Sequence, residues 1–147
     1  MVTPTPAFWD ASALVPLCVQ QAATPDARRQ LRSFSPVAWW GTRVEIKSAI
    51  SRLYKGGLID AVGQQGAQTR LVILQRSWKE VLPNDALRDL AGQLLGTFIL
   101  RAADSLQLAA AITWCQQRTS QKIFVCSDER LSVAAESAGF VVKRLRI

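Results

Sequence analysis

The chain contains no histidine. That absence removes Ser-His-Asp and Cys-His nucleophile pairs and His-bearing zinc sites, so any catalysis must come from carboxylates, lysine, serine or an ion held by oxygen. Cysteine is scarce: Cys18, Cys115 and Cys126 are odd in number, widely spaced and set in apolar segments. They fit neither a disulfide framework nor the C-x-x-C spacing of a zinc site, and buried free thiols in a reducing compartment are expected. No uninterrupted apolar run reaches the roughly 18 residues that a membrane span needs. Met1 to Pro6 also shows no basic start followed by an apolar stretch. A soluble, cytoplasmic protein with no membrane contact is the expectation. Negative charge is in the minority, with 11 Asp and Glu against 18 Lys and Arg and a net charge of +7. Such a balance favours a polyanionic partner, nucleic acid being the commonest, and carries no information about fold.

What is present fits one domain over residues 1–147, since a chain of 147 residues that is 49% hydrophobic can bury a sizeable core without disulfides or structural metals. The apolar run 7–9 reads as a strand ending at Asp10, with a helix opening at Ser12 and Pro16 near its first turn. Thr24-Pro25-Asp26 has the form of an N-cap, a first-position proline and a first-turn acid, so 27–34 is expected to be helical. Residues 37–40 read as a short strand between Pro36 and Gly41. Ile46, Ile50 and Leu53 recur at helical spacing from Thr42 until Gly56-Gly57 stops the pattern. Further helices are expected over 60–75, from an Asn84 cap to 94 or 95, over 102–117 and over 128–137, with strands at 78–82, 122–126 and 140–145. Short strands alternating with helices imply crossover units, hence a three-layer α/β domain with a mainly parallel central sheet flanked by helices. No repeat, linker or low-complexity tract interrupts it.

Four acids fall beside strand ends in this reading. Asp10 ends the first strand, Glu45 lies in the first turn after 37–40, Asp104 lies in the first turn of its helix, and Asp128 directly follows 122–126. Residues just beyond the carboxyl ends of strands line the ligand crevice of an open α/β sheet. Each acid alone has a plainer reading, because acids cap helices and complement their dipoles. Asp10 is harder to explain in that way, since it follows Ala7-Phe8-Trp9 and is the only acid among the first 25 residues. Carboxylates converging in one crevice repel one another unless a cation sits among them, and oxygen-only ligands suit Mg²⁺ or Mn²⁺. Such an ion can activate water and neutralise a phosphodiester.

At these residues the chain resembles the PIN-domain ribonucleases, and in particular the VapC-like toxins of type II toxin–antitoxin systems. The stretches that carry the resemblance are 8–14 around Asp10, 43–50 around Glu45, 100–109 around Asp104 and 124–131 around Asp128, in that order along nearly the whole chain. The resemblance implies that Asp10, Glu45, Asp104 and Asp128 hold Mg²⁺ or Mn²⁺, directly or through water, for hydrolysis of single-stranded RNA. It implies that Ser12 and Ser127 position an acid or a water with their hydroxyls, although Ser127 reads equally well as a loop hydroxyl. It also implies a homodimer neutralised by a small antitoxin encoded next to it. In this family the fourth acid, here Asp128, is the most variable.

Arg43, Lys47, Arg101 and Arg130 stand close to the acids in sequence and are candidates for steering RNA phosphates, against the plainer reading of solvated surface charges. Trp39, Trp40, Trp78 and Trp114 lie in apolar segments, where core packing is expected in preference to base stacking. A dehalogenase-like phosphatase would need a second Asp two residues after Asp10, where Ser12 stands, and a receiver domain would need an adjacent acidic pair and a late lysine after a strand. A housekeeping RNA-processing nuclease, or a non-catalytic scaffold for RNA or protein, stays open as the alternative to a toxin.

Overall fold

Ala7, Phe8 and Trp9 are fully buried in the first strand, β1 (Thr5–Trp9), and their alternation divides the core in two. Ala7 and Trp9 pack on one face of the sheet and Phe8 on the other. The computed structural model describes residues 3–147. Met1 and Val2, the start of the segment read for a leader, lie outside the described residues.

Asp10 caps α1 (Ala11–Cys18), which therefore starts one residue earlier than expected, and Pro16 falls at its sixth position, two residues before the end. In α2 (Thr24–Ser33) the N-cap is Ala23, not Thr24. The Thr24 hydroxyl instead donates to the Pro16 carbonyl at 2.7 Å, which joins the two helices. Helix α2 runs straight into β2 (Phe34–Trp39), so the strand begins three residues before the expected 37 and takes in Pro36. Proline is tolerated there because β3 pairs with β2 only from Val37 onward, which leaves one side of Pro36 without a neighbouring strand.

The chain continues through α3 (Thr42–Lys55), α4 (Ala61–Ser77), β3 (Lys79–Val81), α5 (Asp85–Thr97), α6 (Ala102–Trp114), β4 (Ile123–Cys126), α7 (Glu129–Ser137) and β5 (Val141–Arg144). Gly63 and Gly66 do not break α4, which Asp60 caps by accepting from Gly63 N at 2.7 Å. Helix α6 stops three residues short of the expected 117, because Gln116 and Gln117 turn to left-handed backbone (φ 53 and 66) and the Gln117 N–H closes back on the Ile112 carbonyl. No glycine marked that stop.

All five strands are parallel, in the order β3-β2-β1-β4-β5. Helices α1 to α4 cover one face and α5 to α7 the other, giving the expected three layers. The order reverses at β1, flanked by β2 on one side and β4 on the other, so the crevice that ligands occupy in such sheets opens at the end of β1. Among the described residues no single helix is long and apolar enough to cross a membrane; α5 and α6 qualify by composition only as a pair, but they are bent by 119° and pack on the sheet. Cys18, Cys115 and Cys126 are buried and free, as expected.

Gly41, between β2 and α3, has an ordinary φ of −77, so it is required for space and not for conformation. A Cβ there would meet Trp39 Nε1 at 2.6 Å, and that indole is buried. Gly41→Ala should therefore lower stability by about 1–3 kcal/mol, the usual cost of crowding a packed side chain. Urea unfolding checks it, and an unchanged midpoint would show that the Trp39 indole can move aside.

Candidate active site

Asp10 is 4% exposed at the carboxyl end of the central strand, its N–H tied to the Val125 carbonyl. Its carboxylate accepts from Ser12 N at 3.1 Å and from Ser12 Oγ at 2.9 Å. The Ser12 hydroxyl accepts in turn from Ser127 N at 2.9 Å, so one serine links the ends of β1 and β4. Ser127 thus contributes its backbone N–H to this network.

Glu45 enters from the first turn of α3, and its Oε2 accepts from Gln107 Nε2 at 2.6 Å. The same amide nitrogen donates to Thr42 Oγ1 at 3.0 Å. Gln107 and Thr42 are both buried, so Glu45 leans on a fixed polar base. Asp104 stands in the first turn of α6. Asp128 caps α7 by accepting from Leu131 N at 2.8 Å, the plainer role proposed for it, and still lines the same cleft.

That cleft, about 690 Å³, has all four acids in its walls. Burial pushes the Asp10 carboxyl up to about 6, against the Ser12 hydrogen bonds, and the charge of Asp128 adds to the rise. Burial pushes Glu45 up to about 7, with Gln107 opposing and the charges of Asp10 and Asp104 contributing. Asp104 is raised by burial and by Asp128, while Arg101 and Arg130 pull it down. Asp10, Glu45 and Asp104 are thus each raised chiefly by burial, with a neighbouring carboxylate adding to the rise. Among the described residues no three His, Cys, Asp or Glu side chains are close enough to bind one ion directly. The donor set is nevertheless all oxygen and crowded with negative charge, which fits a hard divalent ion that keeps several of its waters.

Of the basic candidates, Arg101 lines the cleft; Arg130 is exposed outside it but close enough to act on Asp104. Arg43 and Lys47 are exposed and do not line it, because two residues from Glu45 is the opposite side of a helix. Arg52 does line it, seven residues or two turns after Glu45, a spacing that would have identified it. The expectation of core packing holds for Trp39 and Trp78, both 7% exposed, and fails for Trp40, which is 55% exposed in the wall of the cleft. The strand ends at Trp39, one residue earlier than expected, so Trp40 escapes the sheet face. Trp114 is half-buried, with the Lys122 ammonium over its ring.

No protein-family model matches the chain, and no curated protein matches it. Solved structures do. A toxin–antitoxin complex from Klebsiella pneumoniae aligns over 83% of this chain and 86% of its own at 12% identity and a TM-score of 0.59. The VapBC2 complex of Rickettsia felis, bound to a DNA fragment from its promoter, aligns over 95% and 98% at 12% identity and a TM-score of 0.64. A protein of Pyrobaculum aerophilum aligns over 94% and 89% at 18% identity and a TM-score of 0.57. The chain has the fold of these proteins, the PIN-like α/β arrangement that the sequence resemblance implied.

The raised carboxyls bear on stability. An acid whose pKa is higher folded than unfolded binds more protons in the folded state, so stability falls as pH rises through the window from about 4 to about 7. At pH 8 the burden from Asp10 alone is on the order of 3 kcal/mol. In EDTA, the protein should melt higher at pH 5 than at pH 8, and the stabilisation of Asp10→Asn over the wild type should be about twice as large at pH 8 as at pH 5. Thermal unfolding at the two pH values measures this; an Asp10→Asn protein less stable at pH 8 would mean that the carboxylate is a net structural asset.

Proposed function

We propose that this chain is an endoribonuclease dependent on Mg²⁺ or Mn²⁺ that cleaves single-stranded RNA, and that it is the toxin of a VapBC-type toxin–antitoxin pair. The observation that carries the reading is the gathering of Asp10, Glu45, Asp104 and Asp128 in one cleft at the point where the strand order reverses, in a chain of net charge +7. Capping accounts for Asp10 and Asp128 singly but not for four carboxylates gathered in one cleft, whereas a polyanion cut at a cation site needs both those acids and the basic surroundings. Support for the toxin role comes from the fold shared with the Klebsiella and Rickettsia complexes. By the sequence resemblance the chain would work as a homodimer in the cytoplasm, and the two complexes support an antitoxin as the partner that holds it inactive.

Asp10, Glu45, Asp104 and Asp128 would hold the ion, in part through its waters. When bound, it would supply charge neutralisation at the scissile phosphodiester and a more acidic water. The chain itself orients the acids. Ser12, anchored by Ser127 N, holds the Asp10 carboxylate against rotation, and Gln107 holds one oxygen of Glu45. Arg101, beside Asp104, can meet a phosphate oxygen at the rim of the cleft.

Incubated with defined single-stranded RNAs, the protein should cut with Mg²⁺ or Mn²⁺ and stop with EDTA, and Asp10→Asn or Asp104→Asn should lower the rate at least about 100-fold, as expected for groups that act together. Gel analysis of the products checks it. Full activity in Asp10→Asn would overturn the mechanism, and unimpeded growth of cells expressing the soluble chain alone would point to a housekeeping nuclease.

Asp128→Asn separates capping from ion binding. Asn caps as well as Asp, so the Leu131 N–H keeps its acceptor and the metal-free protein should unfold at the same or a slightly higher temperature. Cleavage should fall nonetheless, and cleavage at the wild-type rate would leave Asp128 as a cap alone.

A further inference from the structure

Trp40 is a large aromatic side chain of the cleft that neither the core nor the acids use. Its backbone is fixed, because its N–H continues the sheet ladder to the Val81 carbonyl at 3.0 Å. Its indole stands T-shaped against that of Trp39, ring centroids 6.4 Å apart at 72°. Trp39 is buried, its indole seated in the space that the missing Cβ of Gly41 leaves, so the exposed indole is backed by a buried one. Val44, also exposed, shares this wall. Arg52 lies farther along the same face of α3 with its Nη1 donating to Ser48 Oγ at 2.7 Å, and Arg101 lies beside Asp104 in the same cleft.

We propose that Trp40 is a stacking platform for one nucleobase of the bound strand, with Arg52 on an adjacent phosphate. The proposal rests on the nuclease reading and extends it to how substrate is held. A half-exposed indole that shares its cleft with two guanidinium groups matches what a nucleotide offers, a π-face and an anion. Only an unpaired base can lay its face on the ring, so the platform selects single strands and tolerates any base. A protein segment would also cover Trp40 and Val44, but two cationic side chains in a cleft lined by acids favour a ligand that brings its own negative charge and an ion with it.

The test uses the full chain carrying Asp10→Asn, which keeps the probe intact, and a fluorescein-labelled RNA octanucleotide in Mg²⁺. Trp40→Leu in that background should weaken binding about tenfold or more, and Trp40→Phe should recover most of the loss, leaving about threefold. Because Trp40 is on the surface, neither change should move the unfolding temperature. Quenching of tryptophan emission by the RNA should largely vanish in Trp40→Leu. An octamer with an abasic site at the stacked position should bind Trp40→Leu and its parent alike. With Asp10 restored, Trp40→Leu should raise KM for the octamer more than it lowers kcat. If the wild-type protein cuts RNA while Trp40→Leu matches its parent in affinity and KM, the stacking proposal alone is overturned and the indole belongs to a protein contact. If the wild type neither cuts nor binds any single strand, the nuclease reading falls with it.

Discussion

Repulsion among carboxylates at the carboxyl end of a buried parallel sheet is the constraint around which the rest of this structure is arranged. Asp10 is the most buried of them, at the tip of the central strand, so water screens it from its neighbours only weakly. The fold answers with aligned backbone dipoles. Because every strand is parallel, the helices that follow β1, β2 and β4 all begin at this edge, and α6 also starts here with Asp104 in its first turn. Asp10 caps α1, Glu45 lies in the first turn of α3 and Asp128 caps α7. Four positive helix ends therefore point at four acids, each offset being typically 0.3–1 kcal/mol and larger where partly buried. The pKa values of Asp10 and Glu45 stay raised in spite of it, so the dipoles reduce the burden without removing it.

The same arrangement explains which parts of the structure were legible in the residues. Asp10, Glu45, Asp104 and Asp128 could be read because local signals locate strand ends and helix starts, and a parallel sheet then brings those places together without further information. Alternation in β1 and helical spacing in α3 specify their own elements. The links that hold the acids are another matter. Gln107 meets Glu45 across 62 residues, and Ser127 meets Ser12 across 115. No local pattern encodes a partner at that distance, and Gln107 in an Ala- and Leu-rich helix reads as an ordinary surface position until the fold buries it. Boundaries slipped where tertiary structure overrode a cap: Thr24 turned its hydroxyl to Pro16, and Gln117 ended α6 without glycine.

Trp40 shows how one residue of register decides a role. Along a strand successive side chains alternate between faces, so a strand running through residue 40 would have put this indole against the helices on one side. The strand ends at Trp39 and Gly41 opens α3 immediately, which turns the chain and leaves Trp40 at the edge of the cleft. Hydrophobicity of the segment could not reveal this, because Trp39 and Trp40 are the same residue type with opposite surroundings.

Charge on this chain is divided in space more sharply than its composition suggests. A net charge of +7 coexists with a cleft lined by four acids, of which Asp10, Glu45 and Asp104 are held above the usual carboxylate range. The long-range field of the whole molecule attracts a polyanion, whereas the short-range field inside the cleft repels its phosphates. The two are compatible only if the repulsive part is neutralised locally, by protons or by a cation. Protons do so for Asp10 and Glu45 only toward the lower end of the physiological range, where both carboxyls are partly neutral. A divalent cation does so at any pH at which the acids are ionised, and it leaves the surrounding positive field intact. Arg101 and Arg52 sit where the two fields meet, in the same walls as the acids, so a strand drawn in by the outer charge finds its first fixed partners at the boundary of the site.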